Sequence, residues 1–237
     1  ASSTDLSINA TTGEINLALS LAGSYSVTYT VLATTCGPVG TSTTSVIITE
    51  VPTAIISYSG TPFCTTLTTG QAVTLTGTDA YTGGTYSSTA GLTIDASTGA
   101  IIPSTSTAGS YVVTYSTIAS AGCSAVSVTT TIVITATPTA IISYSGTPFC
   151  TTLTTGQVVT LTGTGGTFSS TAGLILDATT GSITPSTSTP GNYIVTYTIS
   201  AGAGCSQVTA TTNVVITTAP TAIISYSGTP FCTTLTT

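Results

Sequence analysis

Polar and apolar residues alternate along much of this chain with a period of two. Tyr111, Val113 and Tyr115 fall on one side of a run whose other side is Val112, Thr114 and Ser116. The same pattern returns at Tyr25, Val27 and Tyr29, and at Tyr193, Val195 and Tyr197. Between residues 125 and 135, Val126, Val128, Ile132 and Ile134 share one face while Ser127, Thr129, Thr131 and Thr135 share the other. Period two with threonine on one face predicts half-buried antiparallel strands. Strands are expected near 54–59, 72–77, 84–88, 91–94, 100–102, 110–118 and 125–135. Seven short strands with turn signals every ~8–12 residues fit a two-layer β-sandwich.

The pattern repeats because the sequence does. The string PTAIISYSGTPFCTTLTT begins at Pro52, Pro138 and Pro220 and is identical in all three places. The period is 86, then 82 (138 − 52, then 220 − 138). Four residues are lost where TGTDAYTGGT from Thr76 to Thr85 becomes TGTGGT from Thr162 to Thr167. Residues 1–51 match the rear of the repeat, with Ser2-Ser3-Thr4 against Ser87-Ser88-Thr89, Gly23-Ser24-Tyr25 against Gly109-Ser110-Tyr111, and Cys36 against Cys123. The expected organisation is a rear portion (1–51), complete repeats at 52–137 and 138–219, and a front stub at 220–237. Such units are too long for a solenoid coil and fit a tandem array of sandwich domains. The rear portion and the stub together lack the strand at 71–77, so the chain reads as a window on a longer array, with strand exchange between molecules as the alternative.

The turns have their own chemistry. Asp95-Ala96-Ser97-Thr98-Gly99 matches Asn9-Ala10-Thr11-Thr12-Gly13 and Asp177-Ala178-Thr179-Thr180-Gly181. An Asx residue opening the turn, with glycine where φ must be positive, marks a hairpin. A calcium ligand would be the functional reading of Asp95 and Asp177, but calcium takes several clustered oxygens and each turn offers one carboxylate. Glu50 also stands alone, and the sequon Asn9-Ala10-Thr11 belongs to the turn. Gly109-Ser110-Tyr111 and Gly191-Asn192-Tyr193 open the sixth strand, where sandwiches place a tyrosine corner. Pro52, Pro62, Pro138 and Pro148 near the first strand of each repeat protect its edge, a task usually given to lysine.

Composition removes whole classes of function. The chain has no Lys, Arg or His and a formal net charge of −6. Phosphate contacts need cations, so nucleic acid is not an expected partner. The same lack argues against docking on anionic lipid, and no apolar run is long enough to insert in a membrane. Serine and threonine make up about two residues in five, but a hydroxyl needs a base to become a nucleophile. The six carboxylates are unpaired in sequence, and Gly83-Gly84 and Gly165-Gly166 lack the context of a phosphate loop. Neither an enzyme nor a cofactor or metal site is expected.

The cysteines are Cys36, Cys64, Cys123, Cys150, Cys205 and Cys232. Without Cys-x-x-Cys or histidine they read as structural disulfides of an oxidising, extracellular setting. The expected pairs are Cys64–Cys123 and Cys150–Cys205, with Cys36 and Cys232 bonded to cysteines beyond either end. A rival scheme joins neighbours in sequence: Cys36–Cys64, Cys123–Cys150 and Cys205–Cys232. Alternating strands would put more than a domain length between those partners, against the ~7 Å allowed between bonded Cα atoms. The preferred pairs need the segment Gly60-Thr61-Pro62-Phe63 to bend back beside the start of the last strand.

The motifs PFC (Pro62-Phe63-Cys64), GLxxDAxTGxI (Gly91-Leu92, Asp95-Ala96, Gly99-Ala100-Ile101), the Tyr111–Tyr115 run and Gly122-Cys123 recur in the second repeat. Together they resemble the Ig-like repeats of giant cell-surface adhesins of Bacteroidetes. Many of those are exported by the type IX secretion route, and some serve gliding motility. The resemblance spans essentially the whole chain. It implies Ig-like sandwiches in series, displayed on a cell surface. The function expected is a stalk holding a distal adhesive part away from the cell, with a surface or polysaccharide ligand engaged elsewhere in the molecule. The alternative is a self-associating extracellular filament.

Overall fold

A computed structural model describes residues 5–79, 81–119, 122–228, 230 and 233. It divides into two compact units, residues 1–136 and 137–237.

The first unit opens with β1 (Gly23–Val31) and β2 (Gly40–Ile48), paired antiparallel with Gly23 opposite Ile48. The strands β3 (Thr53–Tyr58), β4 (Phe63–Cys64), β5 (Val73–Thr78), β6 (Thr85–Ser88), β7 (Gly109–Ser116) and β8 (Ser127–Thr135) follow. They build two layers. In one, β3 pairs antiparallel with β5, and single bridges join Gln71 to Ile101 and Ile101 to Ile94. The strands expected near 91–94 and 100–102 are therefore reduced to bridges flanking the Asp95 turn. The other layer has the order β4-β8-β7-β6. This is the Ig-like sandwich in which the first strand changes layers.

The alternation read from the sequence places the core. Ala54, Ile56 and Tyr58 of β3 face Tyr111, Val113 and Tyr115 of β7 and Ile132 and Ile134 of β8, all buried. Each such side chain contributes about 1.5–3 kcal/mol when fully removed from water. The Tyr86 and Tyr115 rings stack at a tilt, with centroids 4.7 Å apart. Residues 1–51 carry only the rear elements, and there Tyr29 is 70 % exposed where its counterpart Tyr115 is 1 % exposed. Tyr25, Val27 and Tyr29 line an open concavity of about 540 Å³.

The second unit repeats the plan with β9 (Ile141–Ser143), β10 (Phe149–Cys150), β11 (Thr160–Thr162), β12 (Thr167–Ser170), β13 (Gly191–Ile199) and β14 (Val208–Thr217). Its layers are β9 with β11 and the set β10-β14-β13-β12. The four-residue deletion falls just after β11, which keeps three residues where β5 has six. Residues 220–228 of the front stub form no strand.

Candidate functional site

The expected turn chemistry is present in all three copies. Asp95 Oδ1 accepts the Ser97 and Thr98 amides, each at 2.8 Å, and the Ser97 hydroxyl at 2.6 Å. Asp177 accepts the Thr179 and Thr180 amides at 2.9 and 2.8 Å. Asn9 holds Thr11 and Thr12 in the same way at 2.9 and 3.1 Å. The Ser97 hydroxyl and these amide donors hold the Asp95 carboxyl down at about 2, and the Asp177 carboxyl is lowered by its own turn. Both carboxylates are engaged as turn formers. Among the described residues no three His, Cys, Asp or Glu side chains cluster as metal ligands.

The tyrosines that open the sixth strand are corners. Tyr25 donates to the Leu21 carbonyl at 2.8 Å and Tyr111 to the Thr107 carbonyl at 2.7 Å, with Tyr193 bonded alike to Thr189. A second pair of tyrosines, outside the corner motif, makes longer-range bonds. Tyr58 donates to the Gly99 carbonyl at 2.6 Å, and Tyr144 does so to Gly181. Burial pushes the Tyr58 hydroxyl far above its ordinary range, with Tyr86 adding to it, and raises Tyr144 to about 12. The sequence signal was available: the tyrosine ends β3 on its inward phase, opposite a turn glycine.

The cysteines depart from expectation. Cys64 and Cys205 are disulfide-bonded, whereas Cys36, Cys123 and Cys150 carry free thiols. Cys232 lies outside the described residues. The pairs Cys64–Cys123 and Cys150–Cys205 are thus not formed. The reason lies in where the chain goes after β3. It turns at Gly60, with φ at +87°, and joins the second layer as β4, parallel to β8. Phe63 stands opposite Ile134 and Cys64 opposite Thr135, at the end of the last strand and not at its start. The Thr61 hydroxyl accepts the Val133 amide at 3.1 Å, and the Thr65 amide donates to the Thr135 carbonyl at 3.0 Å. Cys123 precedes the first residue of β8. The eight steps from Ser127 to Thr135 separate the two ends of β8 by about 26 Å, many times the reach of a disulfide, and Cys123 carries a free thiol. The second unit does the same: Cys150 stands opposite Thr217, at the end of β14, with the Thr147 hydroxyl on the Val215 amide at 3.0 Å.

The free thiols differ in surroundings. Cys123 Sγ lies 3.3 Å from Thr49 Oγ1 and donates to the Glu50 carbonyl at 3.3 Å. Cys36 is exposed beside a tight turn closed between Thr34 and Gly37. The Thr152 hydroxyl and amide hold the Cys150 thiol below the ordinary thiol range, which favours the thiolate. The chemistry that this set of residues supports is thiol–disulfide exchange and covalent cross-linking. No helix among the described residues is long and apolar enough to cross a membrane.

No protein-family model and no curated protein matches the sequence. Solved structures with a similar course of the chain include the protocadherin gammaB7 EC3-6 cis-dimer, at 9 % identity and TM-score 0.40, covering 92 % of this chain and 63 % of that one. Sidekick-1 immunoglobulin domains 1–4 align at 13 % identity and TM-score 0.39, covering 92 % and 64 %. BT4661, a SusE-like surface located polysaccharide binding protein of Bacteroides thetaiotaomicron, aligns at 13 % identity and TM-score 0.27, covering 90 % and 41 %. The chain spans between two fifths and two thirds of the length of these structures.

Proposed function

We propose that this chain is a stalk segment of a long extracellular adhesin, a non-catalytic array whose repeats at 52–137 and 138–219 act as spacers for a distal adhesive part. The observation that carries the reading is the outer face of the sandwich. Along β5 the outward residues are Thr74, Thr76 and Thr78, and along β8 they are Ser127, Thr129, Thr131, Val133 and Thr135. A hydroxyl coat keeps a long array in water without charge, whereas lateral assembly calls for apolar outer patches. Each repeat adds roughly 30–40 Å, the length of its long strands and one turn. Surface display agrees with the disulfide-bonded state of Cys64 and Cys205 and with the resemblance to surface adhesins. A surface or polysaccharide ligand would be met by other parts of the molecule.

The second reading, a filament of laterally packed arrays, has one observation in its favour. Val112 and Val133 are 42 % and 40 % exposed on the outer face of adjacent strands, and Ile194 in the second unit is 50 % exposed. Electron microscopy of the purified native protein separates the two. The stalk reading expects single beaded strings; thick fibres with several strands abreast would refute it.

A further inference from the structure

We propose that residues 1–51 are a strand acceptor, and that the strand they take is the Thr221–Tyr226 segment of a second copy of this chain, so that copies join head to tail. The argument starts from a template inside the first unit. In the complete repeat, Ala54, Ile56 and Tyr58 of β3 share one buried cluster with Tyr111, Val113 and Tyr115 of β7 and with Ile132 and Ile134 of β8. Residues 1–51 build one side of that cluster again, with Tyr25, Val27 and Tyr29 on β1 and Val46 and Ile48 on β2. The register is the same: Gly23 stands opposite Ile48 as Gly109 stands opposite Ile134. These residues contain no counterpart of β3. Their inward side opens on the concavity lined by Leu6, Ile8, Gly13, Tyr25, Val27 and Tyr29. An uncovered face of core residues marks a place of association.

The strand that fits this face is written elsewhere in the chain. Thr221–Tyr226 reads TAIISY, as Thr53–Tyr58 does. Within the complete repeat Ile56 and Tyr58 are 4 % and 7 % exposed, whereas their counterparts Ile224 and Tyr226 are 82 % and 67 % exposed. One polar bond sets the register. The Tyr58 hydroxyl donates to the Gly99 carbonyl, and Tyr144 does so to Gly181. Gly13 holds the same place in the Asn9 turn, at a φ of +75° against +72° for Gly99, and it lines the concavity. The docked Tyr226 donates to the Gly13 carbonyl, and Ile224 covers the apolar side of β1.

This is recognition by an added strand. Donor and acceptor are different surfaces, so the contact is heterologous and propagates from copy to copy. In the complete repeat β3 takes its backbone hydrogen bonds from β5, with Thr53 opposite Thr78, and residues 1–51 contain no counterpart of β5. The donated strand is held by its side chains and the tyrosine hydroxyl, which makes the joint reversible. A donor that brings both strands binds more tightly. Head-to-tail joining lengthens a single string as readily as a bundled one, so the proposal stands or falls separately from the proposed function.

The full chain tests it, with its free thiols alkylated so that no new disulfide forms. Sedimentation equilibrium should show a mass that rises with concentration past that of a dimer. Ile224→Asp places a charge on the donor, in a segment that forms no strand. Val27→Asp places one on the acceptor. Each variant alone should stay monomeric. An equimolar mixture should form a dimer that grows no further, since each variant keeps the half that the other lost. The mixing result does not depend on how well Val27→Asp folds around residue 27, because the donor of that variant lies in the other unit. Tyr226→Phe should weaken association about 3–10-fold, the worth of one net hydrogen bond. Synthetic peptides should compete, and residues 52–78 with Cys64→Ser, which carry β3 and β5, should do so at least ~10-fold better than residues 220–237. A wild-type chain that stays monomeric up to millimolar concentration overturns the proposal. So does association that survives Ile224→Asp, or a mixture of the two variants that remains monomeric.

Discussion

Replacing Tyr58 with phenylalanine tests whether a hydroxyl at the end of β3 anchors the Asp95–Gly99 turn. The Tyr58 hydroxyl donates to the Gly99 carbonyl across 41 residues of sequence at 2.6 Å, inside a side chain that is 7 % exposed. The phenylalanine ring fills the same space, so the change isolates the hydrogen bond. Leaving a buried carbonyl without its donor costs about 1–3 kcal/mol. In a unit of this size each kilocalorie shifts the melting temperature by roughly 4–8 °C. The same bond has a pH signature. The hydroxyl must stay protonated to donate, and burial raises its pKa in the folded state. Its contribution is therefore complete below pH ~10, the unfolded value, and is lost as pH rises beyond it. For Tyr144, raised to about 12, the loss at pH 11 is ~1 kcal/mol after allowance for solvent screening. Hydrogen exchange read on separate peptides of each repeat is the assay. Tyr58→Phe should loosen residues 52–136 by the stated amount at pH 7 and reduce their alkaline sensitivity to the part left by the buried Tyr86 hydroxyl, with the second repeat unchanged as the internal control. Wild-type alkaline sensitivity in the variant would refute the assignment. So would a loss at pH 7 below about 0.5 kcal/mol, the low end of what a net hydrogen bond contributes.

Two further substitutions probe the turns. Gly99→Ala places a Cβ 2.7 Å from Val73 Cγ1 and 2.9 Å from the Tyr86 ring at a φ of +72°, and should cost about 2–4 kcal/mol from overpacking and left-handed strain together. Gly13→Ala, at a φ of +75° with nothing near its Cβ, should cost only the strain of ~1 kcal/mol; equal losses in denaturant melts would show that packing at Gly99 is looser than its contacts imply. Asp95 stabilises its turn as a carboxylate, so its contribution should be present above pH ~4 and fade as pH falls toward 2. Asp95→Asn should keep the turn, as Asn9 does, and flatten that acid limb in a pH series of thermal melts.

How much of this was readable from the chain depends on the length over which each signal repeats. The inward faces of β7 and β8 follow from alternation sustained over eight and nine residues. Shifting the phase by one would turn the whole face to water, so the pattern and the burial agree. The Asp-Gly turns and tyrosine corners are local, set by hydrogen bonds spanning two to four residues, and they appear where the sequence puts them. The repeat itself is plain identity of strings. The cysteine topology is different in kind. Phe63-Cys64 is a strand of two residues, too short to carry a period, and its partners Ile134 and Thr135 lie at the far end of the repeat. Nothing local distinguishes pairing at the start of β8 from pairing at its end. Only the assembled sandwich does, because the chain must leave the β3 layer at its lower rim, and the nearest open backbone there belongs to the last residues of β8. Alternation along the chain settles which residues face the core. The change of layers after Tyr58 settles which cysteines can meet, since disulfide reach is a few ångströms and a strand is many times longer.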